Sequence, residues 1–117
     1  MGNFMKLRVW QLAKELAVDI YLLAQGPKLK SDFGFKDQLQ RSAVSIPSNI
    51  AEGDELDSNK QSIKFFFIAK GSAAELLTQL MIGYEIGYLD RADADKLIND
   101  CKLISSMLTR LILARKS

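Results

Sequence analysis

Histidine is missing from this sequence altogether. That removes the commonest general base, the usual serine and cysteine triads, and the favoured zinc ligand. It also removes the Glu-x-x-His pairs with which helix bundles hold two irons. Cysteine occurs once, at Cys101, which excludes an internal disulfide and fits a reducing cytoplasm. Only two prolines and seven glycines interrupt the chain, so a few long elements are expected instead of many short strands. The longest unbroken apolar run is a handful of residues, from which no bilayer-spanning segment is expected. "MGNFMKLRVWQLAKEL" offers neither an apolar h-region nor a small-residue cleavage site, so no signal peptide is read.

What remains is an ordinary globular composition. At 117 residues the chain fits one domain spanning 1–117, with a formal charge of +2 from 16 basic and 14 acidic residues. That balance does not advertise a concentrated nucleic-acid face. Apolar residues recur at i, i+3, i+4 and i+7 in four long segments, at about 6–25, 35–52, 58–86 and 91–115. Val9, Ala13, Leu16 and Ile20 carry the first stripe, and "GPKLKSDFG" breaks it. Gly53 is placed as the C′ residue of the second helix. "SNKQ" reads as a capping box on Ser58 and Gln61, and Asp90 as the last N-cap. The long third helix would be about 43 Å. The fold class expected is all-α, an antiparallel up-down-up-down four-helix bundle.

"SIPSNIAEGD" poses the main question, because Pro47 sits inside the second helical pattern. A mid-helix proline costs about 3 kcal/mol, and a restart would make Ile46, a poor cap, the N-cap. The apolar phase Phe35, Leu39, Ala43, Ile46, Ile50 passes through without a slip, so a kinked but continuous helix is expected. Beside that stripe run Arg41, Ser45, Ser48, Asn49 and Glu52, residues that weaken a helix unless they have partners. The third helix offers "AKGSAAE". An antiparallel register pairing Arg41 with Glu75 also pairs Glu52 with Lys64, Ser45 with Gly71 and Ser42 with Ala74. The expected outcome is a close helix crossing flanked by ion pairs, a structural network of Arg41, Ser45, Asn49, Glu52, Lys64, Gly71, Ser72 and Glu75. No nucleophile–base pair accompanies it, so no catalytic, cofactor-binding or metal-ligating set is assigned.

Other candidates have plainer readings. Cys101 falls on a core stripe and is expected to be a buried structural thiol. Lys70 reads as a snorkelling side chain, and Trp10, Tyr84 and Tyr88 as core or interface aromatics. "KFFFIAK" says more: Phe65, Phe66, Phe67 and Ile68 point in four directions at about 100° steps, so at least one must face outward. These four are candidates for a homo-oligomer interface. In an up-down bundle both chain ends meet, so Lys6, Arg8, Arg110, Arg115 and Lys116 form a candidate nucleic-acid patch. "DELD" at the same end dilutes it, and the plainer alternative is two solvated tails.

"DQLQRSAVSIPSNIAEG" followed by "FFFIAKGSAAELLTQL", with "VWQLAKEL" upstream and "GYL" near 87–89, resembles the proteins encoded in intervening sequences of bacterial 23S ribosomal RNA genes. The resemblance covers nearly the whole chain. It implies a left-handed four-helix bundle assembled as a homopentamer, with Gln38, Arg41, Ser45, Pro47, Asn49, Glu52, Gly53, Gly71, Ser72 and Glu75 as its motif residues. A related branch, the accessory protein of diversity-generating retroelements, implies contact with RNA or DNA through a basic surface. Three readings stand: a non-enzymatic cytoplasmic oligomeric scaffold touching structured RNA or an RNA-bound protein, a protein–protein interaction module without a nucleic-acid role, and an enzyme using Glu52 and Glu75 with a metal. The first is preferred, with no cofactor and no membrane association expected.

Overall fold

The computed structural model describes residues 3–116, and every regular element among them is helical. A 3-10 turn at Phe4–Lys6 precedes α1 (Arg8–Leu23), α2 (Pro27–Ser31), α3 (Phe33–Asp54), α4 (Asn59–Glu85) and α5 (Arg91–Lys116). The molecule measures 45 × 20 × 20 Å, with the four long helices along its length. α1 packs on α3 and α5, and α4 packs on the same two. Buried positions on α4 alternate steps of three and four, from Phe66 and Ala69 through Ala73, Leu76 and Leu80. That spacing keeps one stripe facing inward over the whole helix. Ile20, Leu39, Ile46, Ile50 and Leu108 complete the centre, all fully enclosed.

Local chemistry explains most boundaries. Asp32 Oδ1 accepts from Phe35 N–H at 3.1 Å, Ser58 Oγ from Gln61 N–H at 3.2 Å, and Asp90 Oδ1 from Asp93 N–H at 2.8 Å. Each side chain satisfies one of the donors a helix start leaves open. α4 ends where Gly87 enters the left-handed region at φ 83°. There Tyr88 N–H reaches Gly83 O at 2.8 Å and Gly87 N–H reaches Tyr84 O at 3.1 Å, a Schellman ending. α3 runs unbroken through the buried Pro47.

Four expectations require correction. The segment after α1 is not a plain break: Pro27 opens α2 at a position where its missing N–H costs nothing, and Leu29 is buried. Gly53 is no C′ residue, since it lies inside α3 without a positive φ. Its hydrogen is required for close approach, because a Cβ there would stand 2.8 Å from Phe66 Cε1 and 3.0 Å from Ser62 O. Phe66 belongs to the core and leaves the candidate interface set, whereas Phe67 and Ile68 are each 50% exposed. The unbroken-run argument against membrane spanning also fails for α4. Its mean hydropathy reaches 1.3 over an 18-residue window, long and apolar enough by composition to cross a bilayer. The length hidden by scattered polar residues is what the run-length reading missed.

Candidate functional site

Signature residues of α3 and α4 meet along a polar seam. Ser45 Oγ and Ser72 Oγ lie 2.7 Å apart, and either hydroxyl can donate. Asn49 Nδ2 donates to Ser45 Oγ at 3.0 Å and to Ser45 O at 2.8 Å. One turn earlier, Ser42 Oγ donates to Gln79 Oε1 at 2.7 Å, with the carbonyl oxygens of Gln38 and Leu39 at 3.0 and 3.2 Å. At the loop end Ser62 Oγ donates to Gly53 O at 2.6 Å. Residues that weaken a helix are thus used to cross-link two helices, and among the described residues no buried side-chain N or O lacks a partner.

The seam departs from the expected register: Ser45 is off by one residue, and Ser42 reaches Gln79 where Ala74 was expected. Ser45 faces Ser72 and not Gly71, and one residue turns an α-helix by about 100°. Gly71 is therefore exposed, and a Cβ on it would meet nothing within 4 Å. Arg41 Nε pairs with Asp37 Oδ2 at 2.8 Å on its own helix and not with Glu75. An i, i+4 partner needs less ordering than one on another helix. Glu52 and Lys64 form no ion pair with each other. Arg41 and Glu75 still flank one open groove of about 290 Å³, with Ser42, Ser45, Ser72 and Gln79 as its floor.

That groove presents hydrogen-bonding groups to whatever enters it. It holds hydroxyls and amides with a single carboxylate and a single guanidinium on the rim. Among the described residues no group of three or more His, Cys, Asp or Glu side chains could hold a metal. Burial first, then the neighbouring Asp100 charge, pushes the Cys101 thiol up from 9.0 to about 12. Cys101 is 1% exposed and packs in the core.

The basic candidates separate. Phe4 lies against Ala51 and Leu56, and Arg115 reaches α3 beside them, so both chain ends do meet. Arg115, however, is not a free patch residue. Its Nη2 donates to Asp54 Oδ1 at 2.7 Å and its guanidinium stacks 5.3 Å from the Phe66 ring. Sequence reasoning placed Asp54 in an acidic loop, whereas it is buried at the end of α3. Only the three-dimensional meeting of α3 and α5 reveals this clamp. Lys6, Arg8 and Arg110 are exposed, and Lys116 lies 5.8 Å over Phe67.

A second polar link ties the opposite end. Tyr88 O–H donates to Asp32 Oδ2 at 2.7 Å while its ring meets Phe35 edge-on at 5.6 Å. That hydrogen bond, then the Phe35 N–H, hold the Asp32 carboxyl below its ordinary value, and the same bond raises the tyrosine. Lys96 spans α5 and α1, reaching Asp100 at 2.8 Å and Asp19 at 3.3 Å, and those bonds raise its ammonium value.

The model of the family described as 23S rRNA-intervening sequence protein matches residues 5–110. The chain belongs to that family. A crystal structure of a protein of unknown function from the S23 ribosomal protein family of Bacteroides thetaiotaomicron is similar to it at TM-score 0.83 and 28% identity. The likeness covers 89% of this chain and 97% of the other. No curated protein matches the chain. The whole α3–α4 seam lies within the matched residues, whereas Arg115 and Lys116 lie beyond them.

Proposed function

We propose that the chain is a non-enzymatic oligomeric scaffold, built as a left-handed up-down-up-down four-helix bundle with α3 bent at Pro47. The observation that carries this reading is the outward face of α4. Phe67, Ile68, Met81 and Ile82 are all at least 40% exposed on one long helix whose opposite face fills the core. A face of that kind marks a surface covered by another protein. A homopentamer is the assembly the family resemblance implies. Sedimentation velocity tests it: the expected species is several times the 13.1 kDa chain mass, and a clean monomer at micromolar concentration refutes it.

The scaffold's target is structured RNA or an RNA-bound protein, met by Lys6 and Arg8 at the shared end of the chain. A protein–protein module without RNA is the second reading. It is favoured by the engagement of Arg115 with Asp54 and by the acids Glu55 and Asp57 at that same end. Salt titration separates the two, because affinity for phosphates falls linearly in log–log form with salt, at a slope set by the phosphates neutralised. Binding to a structured RNA that weakens along such a line supports the first reading. No binding to RNA or DNA at low salt leaves the second.

A further inference from the structure

We propose that the groove beside Phe4 is the socket of a head-to-tail contact, occupied by the C-terminal face of α5 from a second copy of this chain. This rests on the oligomeric reading above and assigns the faces that meet. The groove, about 440 Å³, has an apolar floor of Phe4, Ala51, Leu56 and Phe65. Glu52 and Glu55 stand on it, both exposed and neither in an ion pair among the described residues.

The complementary surface lies on the same molecule. Leu108 and Ile112 turn the inner face of α5 into the core, which leaves Arg110, Leu113 and Lys116 on its outer side. They are spaced three residues apart, so they share a face, and Leu113 is 60% exposed between two cations. Neither Arg110 nor Lys116 is in an ion pair among the described residues. An apolar floor with two carboxylates outside any ion pair therefore matches an apolar ridge with two cations likewise without an ion pair among the described residues, the pattern that steers and orients association.

Height decides the symmetry. Arg115 meets Asp54, which sets the last turns of α5 level with the last turns of α3, and both helices end there. The socket is formed by the end of α3 with the following Glu55 and Leu56, by Phe65 in the second turn of α4, and by Phe4. The ridge faces away from the core on α5, which packs on α4 and α1. Socket and ridge thus occupy different sides at one height. Two different patches at equal height join copies standing parallel, a heterologous contact that gives a ring where its rotation closes.

Charge exchange tests the assignment by sedimentation velocity at about 0.1 M salt, with circular dichroism to verify the helices. Glu52→Lys with Glu55→Lys, and separately Arg110→Glu with Lys116→Glu, should each weaken association about tenfold or more. The chain carrying all four changes should assemble again. Leu113→Asn, which alters no charge, should weaken assembly as well and covers the case of a misfolded charge variant. Assembly that survives either reversal, or a fourfold variant as dissociated as its parents, overturns this contact. A wild-type chain that is itself monomeric overturns the oligomeric reading and this contact with it.

Discussion

Asp54 is 5% exposed, and its stability depends on a single cation that arrives from the far end of the chain. Removing either partner is unequal in effect. Arg115→Met keeps an apolar stem near Phe66 but strands the carboxylate, a loss of about 3 kcal/mol. Asp54→Asn leaves a guanidinium whose side chain is 24% exposed and recovers water, a loss of about 1–2 kcal/mol. Urea unfolding of both variants should show that order, and the reverse order would refute the burial argument. Cys101 predicts an alkaline effect. Its folded value of about 12 stands above the ordinary 9.0, so the folded state holds the proton more tightly. The stabilisation is fully present below pH 9 and is lost as pH rises from about 9 towards about 12. Cys101→Ala should therefore lower stability at neutral pH through a small cavity, yet decline less steeply above pH 9. Parallel curves would refute it. Neither residue's role could be read from its neighbours in sequence: Asp54 sits in a run of acids, and its partner is 61 residues away.

Two glycines of the α3–α4 pair behave oppositely. Gly53→Ala places a methyl 2.8 Å from Phe66 and 3.0 Å from a backbone oxygen, so overpacking should cost about 1–3 kcal/mol. Gly71→Ala fills open space on an exposed helix and should gain up to about 1 kcal/mol. Thermal or urea unfolding of the two variants checks the pair, and equal effects would refute the register described above. The sequence pattern suggests the opposite assignment, with Gly71 at the close crossing and Gly53 at a helix end. The error is instructive. Continuity through Pro47 and the caps at Ser58 and Asp90 are local, settled by period and by side chains three residues apart. Which glycine meets a neighbouring helix depends on register, and loop length alone does not fix it. α2 was invisible for another reason: five residues cannot display a helical period. The polar partnership of α3 and α4 was readable as a stripe needing partners, but its currency is hydroxyls and amides, not the ion pairs anticipated.

At the scale of the whole molecule, packing is uneven. α4 is gripped by α3 and α5 along its length, whereas the α1–α5 seam carries two solvent-open grooves, of about 120 and 330 Å³. Both are lined by Asp19 and Lys96, and the Lys96 bridge to Asp19 and Asp100 spans them on the solvent side. Each of those side chains is more than a third exposed, so the bridge contributes at most about 1 kcal/mol. Side chains that line these open grooves have solvent, not packed neighbours, on one side. The element with the least to lose should open first. Native-state hydrogen exchange is expected to show α1 amides exchanging through a partial opening, at a free energy below that of α3 and α4. Exchange from Ile46, Ile50 and Leu76, enclosed at the centre, should require global unfolding. Lys96→Met should bring α1 exchange forward only a few-fold, because it removes a screened pair and leaves the core contacts of Ala13, Leu16 and Ile20 intact. Protection as deep in α1 as in α4 would mean that the α1–α3 contact alone carries the helix, and that the open grooves along α5 have no mechanical consequence.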